Sequence, residues 1–152
     1  MLRVRLINKE IPELEGLDRD FVCGLVLVSG AGYDPEDEET YSLGASRGYF
    51  EKRFATGDDG WARASSVVRA VDGPTAPALV MNAEGEPPTF RRQANLIHER
   101  IAPLAPASRR LEVPGLDHER IVVRMSGAES AVSEATLAFL EERRCTAAGV
   151  DF

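Results

Sequence analysis

The stretch FVCGLVLVSG, Phe21 to Gly30, is a continuous apolar run rich in valine and leucine that stops at a glycine. Runs of this kind are typical of strands that are buried on both faces of a parallel sheet. The stretch APALVMNAEG, Ala76 to Gly85, repeats the pattern, and SRRLEVPG, Ser108 to Gly115, is a shorter and more polar version of it. We therefore expect three parallel strands, with a fourth candidate in LRVRLI at residues 2–7.

Helical patterns separate these strands. Apolar residues recur at helical spacing from Thr89, the expected N-cap, to Ile101, and again within AESAVSEATLAFLEERR at residues 128–144. Shorter helices are expected around YFEKRF and GWARASSVV. This alternation predicts an α/β fold, a thin and mostly parallel sheet with helices on both faces. We expect one domain over residues 1–152, itself incomplete, in which residues 1–17 form a poorly defined N-terminal segment.

Composition and charge exclude several classes of function. The chain of 152 residues carries 25 acidic and 18 basic residues, a formal net charge of -7, and its basic residues are scattered. Binding to nucleic acid or to an anionic membrane is therefore not expected. The two cysteines, Cys23 and Cys145, lack the spacing of a zinc site or a disulfide framework. With no apolar leader or span, a cytoplasmic protein is expected.

Polar side chains follow the second and third predicted strands. Glu84 and Glu86 come after the first of these two strands, and His118, beside Asp117, comes after the second. Chemistry in such sheets gathers at the carboxyl ends of the strands. A carboxylate that bonds to one imidazole nitrogen leaves the other free to take a proton. The pattern alone is equally compatible with a surface histidine and solvated glutamates.

Two motifs narrow this choice. The stretch AEGEPPTFRRQ, residues 83–93, contains acid-x-Pro-x-Phe-x-Arg-Gln, and VPGLDHERIV, residues 113–122, contains Gly-x-Asp-His followed by Ile-Val. Together they resemble the C-terminal third of α/β-hydrolase esterases, in particular the carboxylesterase and kynurenine formamidase (arylformamidase) branch. DRDFVCGLVLVSGAGYD and WARASSVVRAV extend this similarity, so that it covers roughly residues 18–142.

The resemblance implies a role for each matching residue. It makes His118 the general base and Glu86 the acid of a Ser-His-acid triad, with Glu84 as the other candidate acid. Glu119 stands where the branch commonly has an aromatic residue, and Gly85 replaces an expected side chain and is expected to loosen the turn. The implied substrate is a small carboxylic ester or an arylformamide. No cofactor or metal is implied.

The chain departs from the family pattern at the position of the nucleophile. In α/β-hydrolases a G-x-S-x-G elbow precedes the acid and the histidine, yet residues 1–20 contain no serine. GASRG, residues 44–48, places Ser46 in that motif, but the acidic, polar DPEDEETYSL precedes it where an elbow needs an apolar strand. Ser29 and Cys23 are weaker candidates, and Cys23 is expected to be a packed thiol.

Three interpretations remain open at this stage. The chain is the C-terminal portion of a hydrolase that lacks the nucleophile and is inactive alone, or it is a minimal hydrolase that uses Ser46. In the third, it is a non-catalytic binding or scaffold module derived from the fold. The apolar first strand would be exposed at an edge of the sheet, which predicts self-association through that edge.

Overall fold

The computed structural model describes residues 22–54, 60–73, 75–125, 127 and 130–143. Within them the strands are β1 (Leu25–Val28), β2 (Ala78–Ala83) and β3 (Arg109–Val113). The helices are α1 (Glu38–Ser42), α2 (Arg47–Phe54), α3 (Trp61–Ser65), α4 (Val67–Ala70), α5 (Pro88–Ile101), α6 (His118–Arg124) and α7 (Ala131–Glu142). The fourth candidate strand at residues 2–7 and the N-terminal segment 1–17 lie outside the described residues.

The three strands form one parallel sheet in the order β1-β2-β3. Strand β2 lies between the other two, and all six of its residues are buried. Leu27 of β1 is in register with Val80 of β2, which is in register with Arg110 of β3. The predicted parallel α/β sheet is confirmed, and the position of β2 explains why its sequence is apolar without alternation.

Helices cover both faces of this sheet, as predicted. Successive strand residues point to opposite faces, so Val80 and Met81 belong to different parts of the core. Val80 packs with Ile97 of α5, and Met81 packs with Ile121 of α6 and Phe139 of α7. With helices on either face, the carboxyl ends of the parallel strands are the side of the sheet where a site can form.

The structure differs from the sequence-based expectation at two helices. Thr89 is not the N-cap of α5, because the helix begins at Pro88 and Pro87 precedes it without a side-chain cap. Proline suits the first helical turn, since the amide it lacks has no partner within the helix there. Helix α6 was not predicted, and it begins at His118. Its N-cap Asp117 accepts a hydrogen bond from the backbone N–H of Arg120 at 2.9 Å.

The expectation of a packed free thiol at Cys23 is wrong, because Cys23 is disulfide-bonded. The chain has one other cysteine, Cys145, which lies outside the described residues. Among the described helices, none is long and apolar enough to cross a membrane.

Candidate functional site

The loops that follow β2 and β3 are joined by three hydrogen bonds. The backbone N–H of Glu84 donates to the carbonyl of Val113, and that of Gly85 donates to the carbonyl of Leu116, both at 2.9 Å. The carboxylate of Glu84 accepts from the backbone N–H of Gly115, also at 2.9 Å. These bonds hold the two loops together, and with them Glu86 and His118, the residues that follow the bonded positions of each loop.

Glu86 and His118 are the residues brought together in this way. Nδ1 of His118 lies 2.8 Å from Oε1 of Glu86. The carboxyl side chain is only 1% exposed, whereas the imidazole is 49% exposed. A carboxylate at Nδ1 favours the tautomer with its proton on that nitrogen, so Nε2 is the proton acceptor. Within the described part of the chain Nε2 makes no hydrogen bond, so this nitrogen is free to accept a proton.

Glu84, the other candidate acid, has a different role. It is exposed, and its carboxylate binds the amide of Gly115 rather than His118. Gly85, which is expected to loosen the turn, lies where the two loops approach each other closely. A Cβ atom on Gly85 would lie 2.9 Å from the carbonyl oxygen of Leu116, a separation that real Cβ atoms do not tolerate without a shift. Glycine at this position permits the close approach of the two loops.

Phe90 of α5 contacts the imidazole. The centroids of the Phe90 and His118 rings are 4.7 Å apart, with the rings tilted by 54°. Glu119, at the position where an aromatic residue was expected beside the histidine, is exposed in the first turn of α6. The aromatic contact with His118 therefore comes from the phenylalanine of the acid motif.

Ser29 completes the site, a role that the sequence did not predict. It follows β1, is buried, and its hydroxyl donates to the Oε1 atom of Glu86. Its φ of 51° lies in the left-handed region, which is uncommon for a residue with a side chain. The sequence indicates Ser29 only as a weak nucleophile candidate, whereas the structure places its hydroxyl on the carboxylate of Glu86 rather than on His118. The sequence feature that could have indicated this role is the position of Ser29 at the carboxyl end of β1, the strand that neighbours β2.

Ser46 lies apart from this arrangement. It is exposed between α1 and α2, and its hydroxyl accepts a hydrogen bond from the backbone N–H of Tyr49 at 3.3 Å. An elbow requires a strand before the serine, but the element that precedes Ser46 is α1. No hydrogen bond within the described ranges joins Ser46 to His118 or Glu86. The G-x-S-x-G match is therefore a helix N-terminus in this fold.

Arg92 and Gln93, the last two residues of the acid motif, hold the loop after β1 in place. Gln93 is fully buried, and its side chain bonds to both backbone groups of Asp34, at 2.7 and 3.1 Å, and to the hydroxyl of Thr40 at 2.7 Å. Arg92 forms a bidentate pair with Asp37. The hydrogen bond from Arg92 lowers the pKa of the Asp37 carboxyl. This network ties α5 to the segment that follows Ser29.

The residues described here hold no cluster of three or more His, Cys, Asp and Glu side chains that could bind a metal ion. Comparison with models of known protein families finds no match for the chain, and comparison with curated proteins finds none either. The hydrolase resemblance is thus a prediction that rests on the two motifs.

Proposed function

We propose that this chain carries the acid and the base of a serine-type ester or amide hydrolase and corresponds to the C-terminal portion of an α/β-hydrolase. The observation that supports this proposal best is the hydrogen bond between His118 Nδ1 and the buried carboxylate of Glu86. The two residues follow neighbouring parallel strands at their carboxyl ends, where catalytic groups gather in α/β proteins. They are also the residues that the two motifs assign as the acid and the histidine of the triad.

In the proposed reaction, a serine hydroxyl attacks the carbonyl carbon of a small ester or amide. His118 accepts the serine proton on Nε2, and Glu86 stabilises the imidazolium that forms. Backbone N–H groups stabilise the oxyanion of the tetrahedral intermediate. His118 then donates its proton to the leaving group, and water releases the acyl group by the same sequence of proton transfers. These steps need neither a metal nor a cofactor.

The nucleophile has to come from outside the described residues. Ser29 donates its hydroxyl proton to Glu86, and Ser46 is exposed between two helices. Proton transfer alone contributes only about 10²–10⁴-fold to a rate, so without an attacking group the described site should show no measurable turnover.

A serine-reactive fluorophosphonate probe and p-nitrophenyl acetate test this proposal. The purified chain should be neither labelled nor active, with Ser46→Ala as a matched control. The same protein expressed with the reading frame upstream of Met1 should be labelled on a serine of the added segment. Labelling and the acetate burst should both fall in the His118→Ala variant of that longer protein.

Two results would contradict the proposal. Labelling of the 152-residue chain on Ser46, lost in Ser46→Ala and reduced in His118→Ala, would make it a minimal hydrolase. A folded, longer protein that is neither labelled nor active would favour a non-catalytic binding module.

The cytoplasm is the compartment that composition predicts, and the disulfide at Cys23 counts against it because disulfides persist mainly in oxidising compartments. The test is alkylation of Cys23 in the denatured protein. The protein is first purified from its native compartment without a reductant, so that any disulfide stays intact. Modification of Cys23 would support a reducing compartment, and protection of Cys23 would contradict it.

A further inference from the structure

The carboxylate of Glu86 is held at both of its oxygens. Oε2 accepts a hydrogen bond from the backbone N–H of Ala83 at 2.9 Å. Oε1 lies 2.8 Å from Nδ1 of His118 and also accepts the hydroxyl hydrogen of Ser29. The oxygen that faces the imidazole is therefore fixed by Ser29 and not by a backbone group.

The backbone at Ser29 is unusual for a residue that only ends a strand. Its φ of 51° is unfavourable for a non-glycine residue. Its N–H nevertheless donates to the carbonyl of Met81 at 2.9 Å, which continues the pairing between β1 and β2. A glycine would adopt this conformation without strain. Ser29 differs from such a glycine by the side chain that reaches Glu86.

We propose that Ser29 is a positioning residue that orients Glu86 toward Nδ1 of His118. This inference rests on the proposed function, in which Glu86 and His118 act as acid and base. Without the Ser29 hydroxyl, the described contacts hold the carboxylate through Oε2 alone, so that Oε1 can rotate away from the imidazole. The tautomer of His118 would then lose the hydrogen bond that selects it.

Nitrogen-15 NMR of the His118 ring in the purified chain tests the inference without any catalytic assay. Long-range ¹H–¹⁵N correlations distinguish the tautomer protonated on Nδ1 from the one protonated on Nε2. The chain has two histidines, and a His98→Asn variant assigns the signals. We expect Nδ1–H to dominate in the unmodified chain. It should become the minor tautomer in both Ser29→Ala and Ser29→Gly.

The two variants separate positioning from stability. Both remove the hydroxyl, but Ser29→Gly also relieves the backbone strain, so a change of tautomer shared by both cannot result from strain. Ser46→Ala is the control and should leave the tautomer unchanged. If the unmodified chain and both Ser29 variants all retain Nδ1–H, the role of Ser29 is overturned and the proposed function stands. If the unmodified chain already carries its proton on Nε2, the pairing of Glu86 with His118 fails, and the role of Ser29 fails with it.

Discussion

At the level of single residues, two glutamates separated by one glycine have opposite environments. The side chain of Glu86 is 1% exposed and accepts hydrogen bonds from groups on three different segments. Glu84 is exposed and binds one backbone amide. The acid motif favours Glu86, but both residues follow the same strand, so their position in the sequence does not distinguish them. The geometry of the turn does, because it buries the Glu86 carboxylate and leaves that of Glu84 exposed on the amide of Gly115.

The first prediction concerns replacement of these carboxylates by amides. Glu86→Gln should lower the free energy of unfolding by about 1–3 kcal/mol, because an amide has one acceptor oxygen for three converging donors and leaves a buried group without a partner. Glu84→Gln is the matched control and should change it by less than about 0.5 kcal/mol, since the amide oxygen still accepts from Gly115. Chemical denaturation of both variants measures the difference. Equal effects would contradict the assignment of Glu86 as the buried acid.

The second prediction concerns Gly85. Gly85→Ala should lower the free energy of unfolding by about 1–3 kcal/mol, because the added Cβ lies 2.9 Å from the backbone oxygen of Leu116. The loops must then separate, and Glu86 moves away from His118. Gly48→Ala in α2 is the control, because a Cβ atom there would lie 4.0 Å from the side-chain oxygen of Ser46. It should be neutral or stabilising by up to about 1 kcal/mol. Thermal denaturation that ranks the two variants in the opposite order would contradict a close contact at Gly85.

At the level of elements, the strands could be predicted from the sequence and helix α6 could not. Strands β1 and β2 come from apolar runs that end at turn residues, a pattern that follows from burial in a parallel sheet, and β3 is the shorter, more polar version expected nearer an edge. Helix α6 has seven residues after a Pro-Gly break, too short for a helical period to stand out. Its available signal was Asp117, an N-cap residue type, directly before it. The role of Ser29 depends on a contact 57 residues away, which local patterns do not encode.

The cap of α6 carries the third prediction. Asp117→Ala should destabilise the protein by about 0.5–2 kcal/mol, because it removes the acceptor for the Arg120 amide. His118 is the first residue of this helix, so its Nδ1–H signal should also broaden. Asp117→Asn keeps the capping oxygen and should retain most of the stability. The measurement is urea denaturation combined with the nitrogen-15 spectrum of His118. An Asn variant as unstable as the Ala variant would show that charge rather than capping is involved.

The pair of Arg92 and Asp37, which ties α5 to the loop after β1, carries the fourth prediction. The pKa of Asp37 is lowered from 3.8, chiefly by the hydrogen bond from Arg92. A lowered folded-state pKa means that the carboxylate stabilises the protein above pH 3.8 and that this contribution is lost as the pH falls through the folded-state value. Asp37 is also the N-cap of α1, where its carboxylate accepts from the backbone N–H of Thr40 at 2.9 Å. Asp37→Asn keeps an oxygen for this cap but removes the charge. It should therefore be less stable than the unmodified chain near neutral pH, by about 1 kcal/mol.

The difference between these two proteins should shrink as the pH falls below 3.8 and vanish in stronger acid. Urea denaturation at several pH values measures it. A difference that is constant with pH would show that the Asn variant acts through packing rather than through the ion pair.

At the level of the whole molecule, β1 and β3 are the two edge strands of the sheet, each with one edge that has no partner strand within the described residues. Of the two, β1 is the apolar one, LVLV against RRLEV in β3. The N–H of Leu25 donates to the carbonyl of Pro77, directly before β2, and that of Ser29 donates to the carbonyl of Met81 in β2. Because hydrogen bonds along a strand alternate between its two sides, the N–H groups of Val26 and Val28 point to the other edge. An edge of this kind is a template for pairing with another chain.

The final prediction is therefore self-association through β1, with hydrogen exchange as the measurement. In a dimer that pairs along this edge, the amides of Val26 and Val28 become protected as the protein concentration rises. Those of Leu25 and Ser29 are protected at every concentration, because they already donate to the carbonyls of Pro77 and Met81, and they serve as the internal control. Sedimentation equilibrium should show an increase in mass over the same range. Rapid exchange at Val26 and Val28 at every concentration would contradict pairing. Protection of both amides in a protein that stays monomeric would contradict self-association and would mean that the chain covers its own edge.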